Sequence, residues 1–180
     1  MLRLLTPHYR VGRVWELTPE RLQQWGLHTL LLDVDCTLTR YSQGEALPEA
    51  VAWIEQLRLS GFGLCLVSNG MGQRIRGFAE RLELPCVAKA MKPLPWGVRQ
   101  ALRKLQAEPS QTAIVGDQLF ADVIAGRLAG IRSILVDPIH PEEEPWYTRM
   151  KRLPERFLLA RHEAYMGDTL IRQRSDIHTG

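Results

Sequence analysis

Apolar positions along this chain fall into short, nearly unbroken runs separated by stretches with helical periodicity. Residues 29–34 (TLLLDV), 62–68 (FGLCLVS), 112–116 (TAIVG) and 132–136 (RSILV) are the continuous runs, and 85–88 (PCVA) is a weaker one. Continuous hydrophobicity over so few residues predicts strands buried on both faces, as in parallel sheets. Between the runs, PEAVAWIEQLRLSG (48–61), MGQRIRGFAERL (71–82), PWGVRQALRKLQ (95–106) and FADVIAGRLAG (120–130) predict helices. Pro48 punctuates the start of the first and Gly61 its end, and Ala50, Trp53, Ile54 and Leu57 fall on one of its faces. An earlier segment, LTPERLQQWG, offers Thr18 as N-cap and Pro19 at the first helical position. Near the end, EPWYTRMKRLPERFLLAR (144–161) reads as helical with Pro154 as a break.

The alternation of strand and helix implies parallel strands joined by right-handed crossovers, with helices on both sides of the sheet. The expectation is an α/β fold, a three-layer α/β/α sandwich in one domain over residues 1–180. Its core spans about 29–136, flanked by an N-terminal extension (1–28), a helical C-terminal extension (142–164) and a polar, aperiodic tail (165–180) expected to be loose.

Composition narrows the function classes. Apolar residues make up 45% and charged residues 24%, ordinary for a globular protein, and the net charge of +3 is too small to argue for nucleic acid. Three cysteines, Cys36, Cys65 and Cys86, without paired spacing argue against a disulfide framework and for a reducing compartment. The absence of Cys-x-x-Cys argues against structural zinc. No apolar run approaches the roughly 20 residues that cross a bilayer, and the first residues are too short in their apolar part for a secretory signal. A cytoplasmic protein is expected, with the inner face of a membrane still open as a partner.

The candidate chemistry lies where the apolar runs end. In open parallel sheets, ligands bind outside the carboxyl ends of the strands. The run at 29–34 delivers Asp33, Asp35 and Thr37; that at 62–68 Ser68, Asn69 and Gly70; that at 112–116 Gly116, Asp117 and, further on, Asp122; Lys92 lies between the last two sets. Asp33, Asp117 and Asp122 are hard oxygen donors suited to Mg²⁺, which favours a substrate phosphate among its partners. Asp33 can attack phosphorus to give an aspartyl-phosphate, and Asp35 can protonate the leaving oxygen and then activate water. Ser68 and nearby backbone N–H groups can hold phosphoryl oxygens, while Lys92 supplies positive charge as the group transfers.

DVDCT, VSNG, KP and GDQLFAD, in that order, resemble the four motifs of the haloacid dehalogenase superfamily of phosphotransferases. The second aspartate resembles the phosphatase version of the first motif. The resemblance implies Asp33 as nucleophile, Asp35 as acid/base, Thr37, Ser68, Asn69 and Lys92 at the phosphate, and Asp33, Asp35, Asp117 and Asp122 about Mg²⁺. Pro93 after Lys92 matches the motif, which favours Lys92 over Lys89. The flanking segments LLTPHYRVGRVWELTPERLQQWG and PWYTRMKRLPERFLLAR resemble the narrower YqeG family, which is similar to the phosphatidylglycerophosphate phosphatases of mitochondria and plastids. Cys36 stands where that family usually carries Asn, a position outside the chemical groups. Gln118 stands where many relatives in the wider superfamily carry a second Asp, leaving Asp122 as the remaining acid.

About 35 residues separate Asp33 from Ser68 and about 24 separate Ser68 from Lys92. Helices and strands consume these intervals, so the lid domains of many relatives have no room. An uncapped crevice suits a phosphate carried by something large, such as a lipid in a bilayer. The expected substrate is the phosphomonoester of phosphatidylglycerophosphate; the alternatives are a soluble sugar, nucleotide or nucleic-acid phosphate, or a non-catalytic adaptor on the same fold. Over 146–161, Trp146, Tyr147, Phe157 and the Leu158–Leu159 pair accompany basic residues, a mixture suited either to packing on the sheet or to peripheral contact with anionic lipid. Thiolate phosphatase chemistry needs Cys-x5-Arg, but the residues six beyond the cysteines are Ser42, Met71 and Lys92. Arg40 is either a substrate contact or a solvated loop residue, and the five histidines show no metal spacing.

Overall fold

A computed structural model describes residues 2–41 and 44–143. Six strands form one all-parallel sheet: β1 (Tyr9–Val11), β2 (Thr29–Leu32), β3 (Gly63–Ser68), β4 (Cys86–Ala88), β5 (Thr112–Gly116) and β6 (Arg132–Val136), in spatial order β1-β6-β5-β2-β3-β4. The helices are α1 (Pro19–Gln24), α2 (Pro48–Leu59), α3 (Gly72–Arg81), α4 (Trp96–Leu105) and α5 (Ile124–Ala129). The expected three-layer architecture is therefore present. The expected helical extension and tail, and the 146–161 stretch, lie beyond residue 143 outside the described residues, apart from the three-residue 3₁₀ turn Pro141–Glu143.

Period-two alternation along β2, β3 and β5 sends successive apolar side chains to opposite layers. Leu30, Leu32, Leu64, Leu66, Ala113 and Val115 pack in one core with the apolar faces of α1, α2 and α3. Leu31, Cys65, Val67 and Ile114 pack in the other with Val98, Ala101 and Leu102 of α4 and Ala125 of α5. The central strands are hydrophobic at every position because both faces are covered. Each fully buried leucine contributes about 1.5–3 kcal/mol relative to exposure. Burial also pushes the Cys65 thiol up to about 12, so it serves as core.

The helix signals are realised locally. Thr18 Oγ1 accepts from Arg21 N at 3.3 Å with Pro19 next to it. α2 starts at Pro48, buries Ala50, Trp53, Ile54 and Leu57, and is followed by Gly61 at φ +80°. Two elements depart from expectation. The N-terminal extension contributes β1, an edge strand paired in register with β6, Tyr9 opposite Ile134 and Val11 opposite Val136. The expected helix at 120–130 is instead a π-helical turn, Leu119–Val123, running into α5. The wide turn is closed by Val123 N donating to Gln118 O at 3.5 Å, beside the ordinary bond from Asp122 N to the same oxygen at 2.9 Å, and Asp122 is buried within it.

Candidate active site

The site forms at the carboxyl edge of β2, β3 and β5. Asp33 continues the ladder one residue past β2, its N–H donating to Val115 O at 2.9 Å, and its side chain is buried. The chain then turns: Val34 O accepts from Thr37 N at 3.3 Å and Leu38 N at 3.0 Å, with Cys36 in the left-handed region at φ +61°. Asn tolerates that region better than most residues, which explains the usual Asn there and makes Cys36 a locally less favourable choice. The turn leaves Asp35 partly exposed and returns Thr37 to the interior, where its hydroxyl donates to Asp117 Oδ1 at 3.3 Å.

Lys92 enters from the loop after β4. Its ammonium is buried and donates to Asp33 Oδ1 at 2.7 Å and Asp122 Oδ1 at 2.6 Å. Asp122 Oδ2 accepts from Gln118 N at 3.1 Å, so both of its oxygens are held. Asp33, Asp117 and Asp122 each offer an oxygen within 4.8 Å of the others. At an effective dielectric constant of 20, each Lys–Asp contact attracts by about 6 kcal/mol. Desolvation costs several kcal/mol per ion, so the cluster holds positions more than it adds stability. Burial drives the Asp33 carboxyl well above the usual range; Lys92 opposes this, while Asp122 and Asp117 reinforce it. Burial alone would lower Lys92, but Asp122 and Asp33 outweigh it and hold the ammonium above its ordinary value.

Most of the expected residues gather at this edge of the sheet. The side chain of Asn69, a residue expected at the phosphate, holds the Lys92 backbone: Nδ2 donates to Lys92 O at 2.9 Å and Oδ1 accepts from Lys92 N at 2.8 Å. Asp35, expected as a fourth metal ligand, sits on the turn after β2, where its Oδ2 accepts from Arg74 Nη2 at 2.5 Å. Ser68 is buried at the end of β3, its Oγ accepting from Gly70 N at 3.1 Å. Lys89 is exposed, unlike Lys92, and Arg40 pairs with Glu143 at 3.0 Å. Arg74 is a site residue that sequence reasoning passed over. A signal for it existed: a cation in the first turn of α3 opposes the helix dipole and calls for a partner.

A deep-set carboxylate facing a buried lysine, with an acid on the following turn and further carboxylates beside it, is the chemistry of a phosphoric monoester hydrolase. The comparisons agree. The haloacid dehalogenase-like hydrolase family matches residues 7–130, and the chain belongs to that family. It is 30% identical over 158 residues to "Probable phosphatase YqeG" of Bacillus subtilis, covering 88% of this chain and 91% of that one. It is 24% identical over 169 residues to "Phosphatidylglycerophosphate phosphatase 1, chloroplastic/mitochondrial" of Arabidopsis thaliana, covering 88% of this chain but 48% of that protein. A crystal structure of an uncharacterized protein from Listeria monocytogenes shares the fold, with a TM-score of 0.54 at 18% identity over 66% of this chain and 85% of the other.

Proposed function

We propose that this phosphatase is Mg²⁺-dependent, passes the phosphoryl group through Asp33, and converts phosphatidylglycerophosphate to phosphatidylglycerol. The observation that carries the chemistry is the convergence of Asp33, Asp117 and Asp122 about Lys92 at the strand ends. Three carboxylates against one ammonium leave the cluster with excess negative charge, and the donors are all hard oxygens, which fits Mg²⁺. Asp33 and Asp117 would hold the ion, with Asp122 completing the donor set. When bound, Mg²⁺ offsets the repulsion between carboxylate and phosphate.

Asp33 attacks phosphorus as the ester P–O bond breaks, and Asp35 acts as the general acid that delivers a proton to the departing alkoxide oxygen. Asp35, now a carboxylate, takes a proton from water as that water attacks the aspartyl-phosphate. The P–O bond to Asp33 breaks, releasing inorganic phosphate and restoring the Asp33 carboxylate. Lys92, Ser68 and Thr37 steady the phosphoryl oxygens and the groups around them.

The lipid substrate is supported by the likeness to the Arabidopsis protein of that name and by the short spacings between motifs, which leave the crevice open to a bulky phosphate carrier. Among the described residues no helix is long and apolar enough to cross a membrane. The test is phosphate release from phosphatidylglycerophosphate in mixed micelles, with Mg²⁺, beside soluble sugar and nucleotide monoesters. The lipid is expected to be preferred, and Asp33→Asn to abolish turnover while leaving folding intact. Preference for a soluble ester would overturn the substrate, and full activity of Asp33→Asn would overturn the mechanism.

A further inference from the structure

Four large apolar side chains stand in water on the two loops that position Lys92. Met71 is 74% exposed, Met91 62%, Leu94 43% and Trp96 61%. Met71 precedes α3 on the way out of β3, and Met91, Leu94 and Trp96 lie between β4 and the first turn of α4. β3 and β4 are neighbouring parallel strands, so both exits share one edge of the sheet, the edge that holds the active site. Lys92, between Met91 and Leu94, points the other way, into the buried cluster. The Asn69–Lys92 hydrogen bonds fasten the two loops together.

Beside this apolar rim runs a groove of about 760 Å³ lined in part by Met71, Arg74, Arg76, Arg81 and Lys89. Among the described residues no carboxylate pairs with Arg76 or Lys89. Between residues 70 and 104 the acids are Glu80 and Glu83 alone, against eight basic residues. Exposed apolar groups flanked by unopposed cations match the two layers of an anionic bilayer surface, acyl boundary and phosphate. A second copy would bring the same positive charge and does not complement the groove.

We propose that this face docks the enzyme on an anionic lipid bilayer, with Met71, Met91, Leu94 and Trp96 entering the headgroup region and Arg76 and Lys89 engaging lipid phosphates. The inference rests on the reading of the substrate as a membrane phosphomonoester and adds the surface that meets the membrane. Docking there would present the mouth of the site to the plane in which lipid headgroups lie.

The experiment is co-sedimentation of the full chain with vesicles of phosphatidylcholine alone and of phosphatidylcholine with phosphatidylglycerol, at low and high salt. The wild type is expected to bind only the anionic vesicles and to be released by salt. Two variants, Met71→Ser/Met91→Ser/Trp96→Ser and Arg76→Glu/Lys89→Glu, are expected to lose about tenfold or more in binding. Their melting temperatures and their hydrolysis of p-nitrophenyl phosphate should stay at wild-type levels. The charge-reversed variant alters only exposed side-chain ends and carries the test should the apolar triple variant misfold. The proposal is overturned if the wild type ignores anionic vesicles, if the charge-reversed variant binds as well as wild type, or if the triple variant merely dissociates a dimer seen by size exclusion. Hydrolysis of phosphatidylglycerophosphate in micelles without vesicle binding would sink the docking face and leave the substrate standing. Vesicle binding lost in both variants, with no hydrolysis of that lipid, would do the reverse.

Discussion

The side chain of Asn69 holds both backbone polar groups of Lys92, donating to its carbonyl at 2.9 Å and accepting from its N–H at 2.8 Å. These two bonds cross from the exit of β3 to the exit of β4 and set where the Lys92 ammonium falls between Asp33 and Asp122. Asn69 is thus a positioning residue. Asn69→Ala is expected to lower kcat by about 10- to 100-fold, as a misplacement near 1 Å does, with a smaller change in KM. Asn69→Asp keeps the acceptor for Lys92 N and should recover part of the loss. Steady-state kinetics on a soluble ester reads this directly; equal kcat in wild type and Asn69→Ala would show that Lys92 is placed by other contacts.

Arg74 Nη2 lies 2.5 Å from Asp35 Oδ2, both side chains partly buried. The contact orients the carboxyl group expected to protonate the leaving oxygen. An alkyl phosphate needs that proton far more than p-nitrophenyl phosphate, whose phenolate leaves unaided. Arg74→Leu is therefore expected to slow an alkyl ester by about 10- to 100-fold, the scale of general acid catalysis, and p-nitrophenyl phosphate much less. An equal loss on both substrates would assign Arg74 to phosphate binding instead.

Gly116 ends β5 directly against Asp122. A Cβ at that position would fall 2.2 Å from Asp122 Cγ and 2.3 Å from its Oδ2. The contact is with a buried carboxylate held by Lys92 and Gln118, which has nowhere to retreat. Gly116→Ala is expected to destabilise by about 1–3 kcal/mol, the range for an overfilled core, and to cut activity by displacing Asp122. Thermal melts and phosphate release together check it; an unchanged melt would mean the π-helical turn yields without cost.

How far this arrangement could be read beforehand depended on whether the signal was local. β2, β3 and β5 were plain because every position is apolar and both faces are covered, and the acids that follow them sit at strand ends by necessity. β1 was hidden because three residues on a sheet edge, with Arg10 turned to solvent, carry no periodicity. The π-helical turn at 119–123 was hidden for a related reason, since one extra residue per turn leaves the apolar pattern of a helix nearly intact. Asn69 and Arg74 lay in view as residue types, but their partners are 23 and 39 positions away. Which polar group an amide or guanidinium meets is decided by how the loops after β3 and β4 come together, and that information is distributed over the whole fold.

His8 fastens β1 to β6. Its N–H donates to Ser133 O at 3.0 Å, and its ring Nδ1 accepts from Ser133 N at 3.0 Å. A ring nitrogen that accepts must be unprotonated, and burial, aided by the charges of Arg127 and Arg132, holds the imidazole below its ordinary 6.5. The sign follows from linkage: the neutral form is favoured in the folded state, so the stabilisation is complete above pH 6.5 and fades as pH falls towards the lowered folded value. Acidification through that window is expected to loosen the N-terminal strand before the rest of the sheet, seen as faster amide hydrogen exchange across Tyr9–Val11 and Ile134–Val136 with β2 and β3 still protected. His8→Ala should exchange quickly at these positions at neutral pH already and lose the pH dependence. Exchange at β1 that stays slow and flat from neutral to acidic pH in the wild type would show that the imidazole does not control the edge.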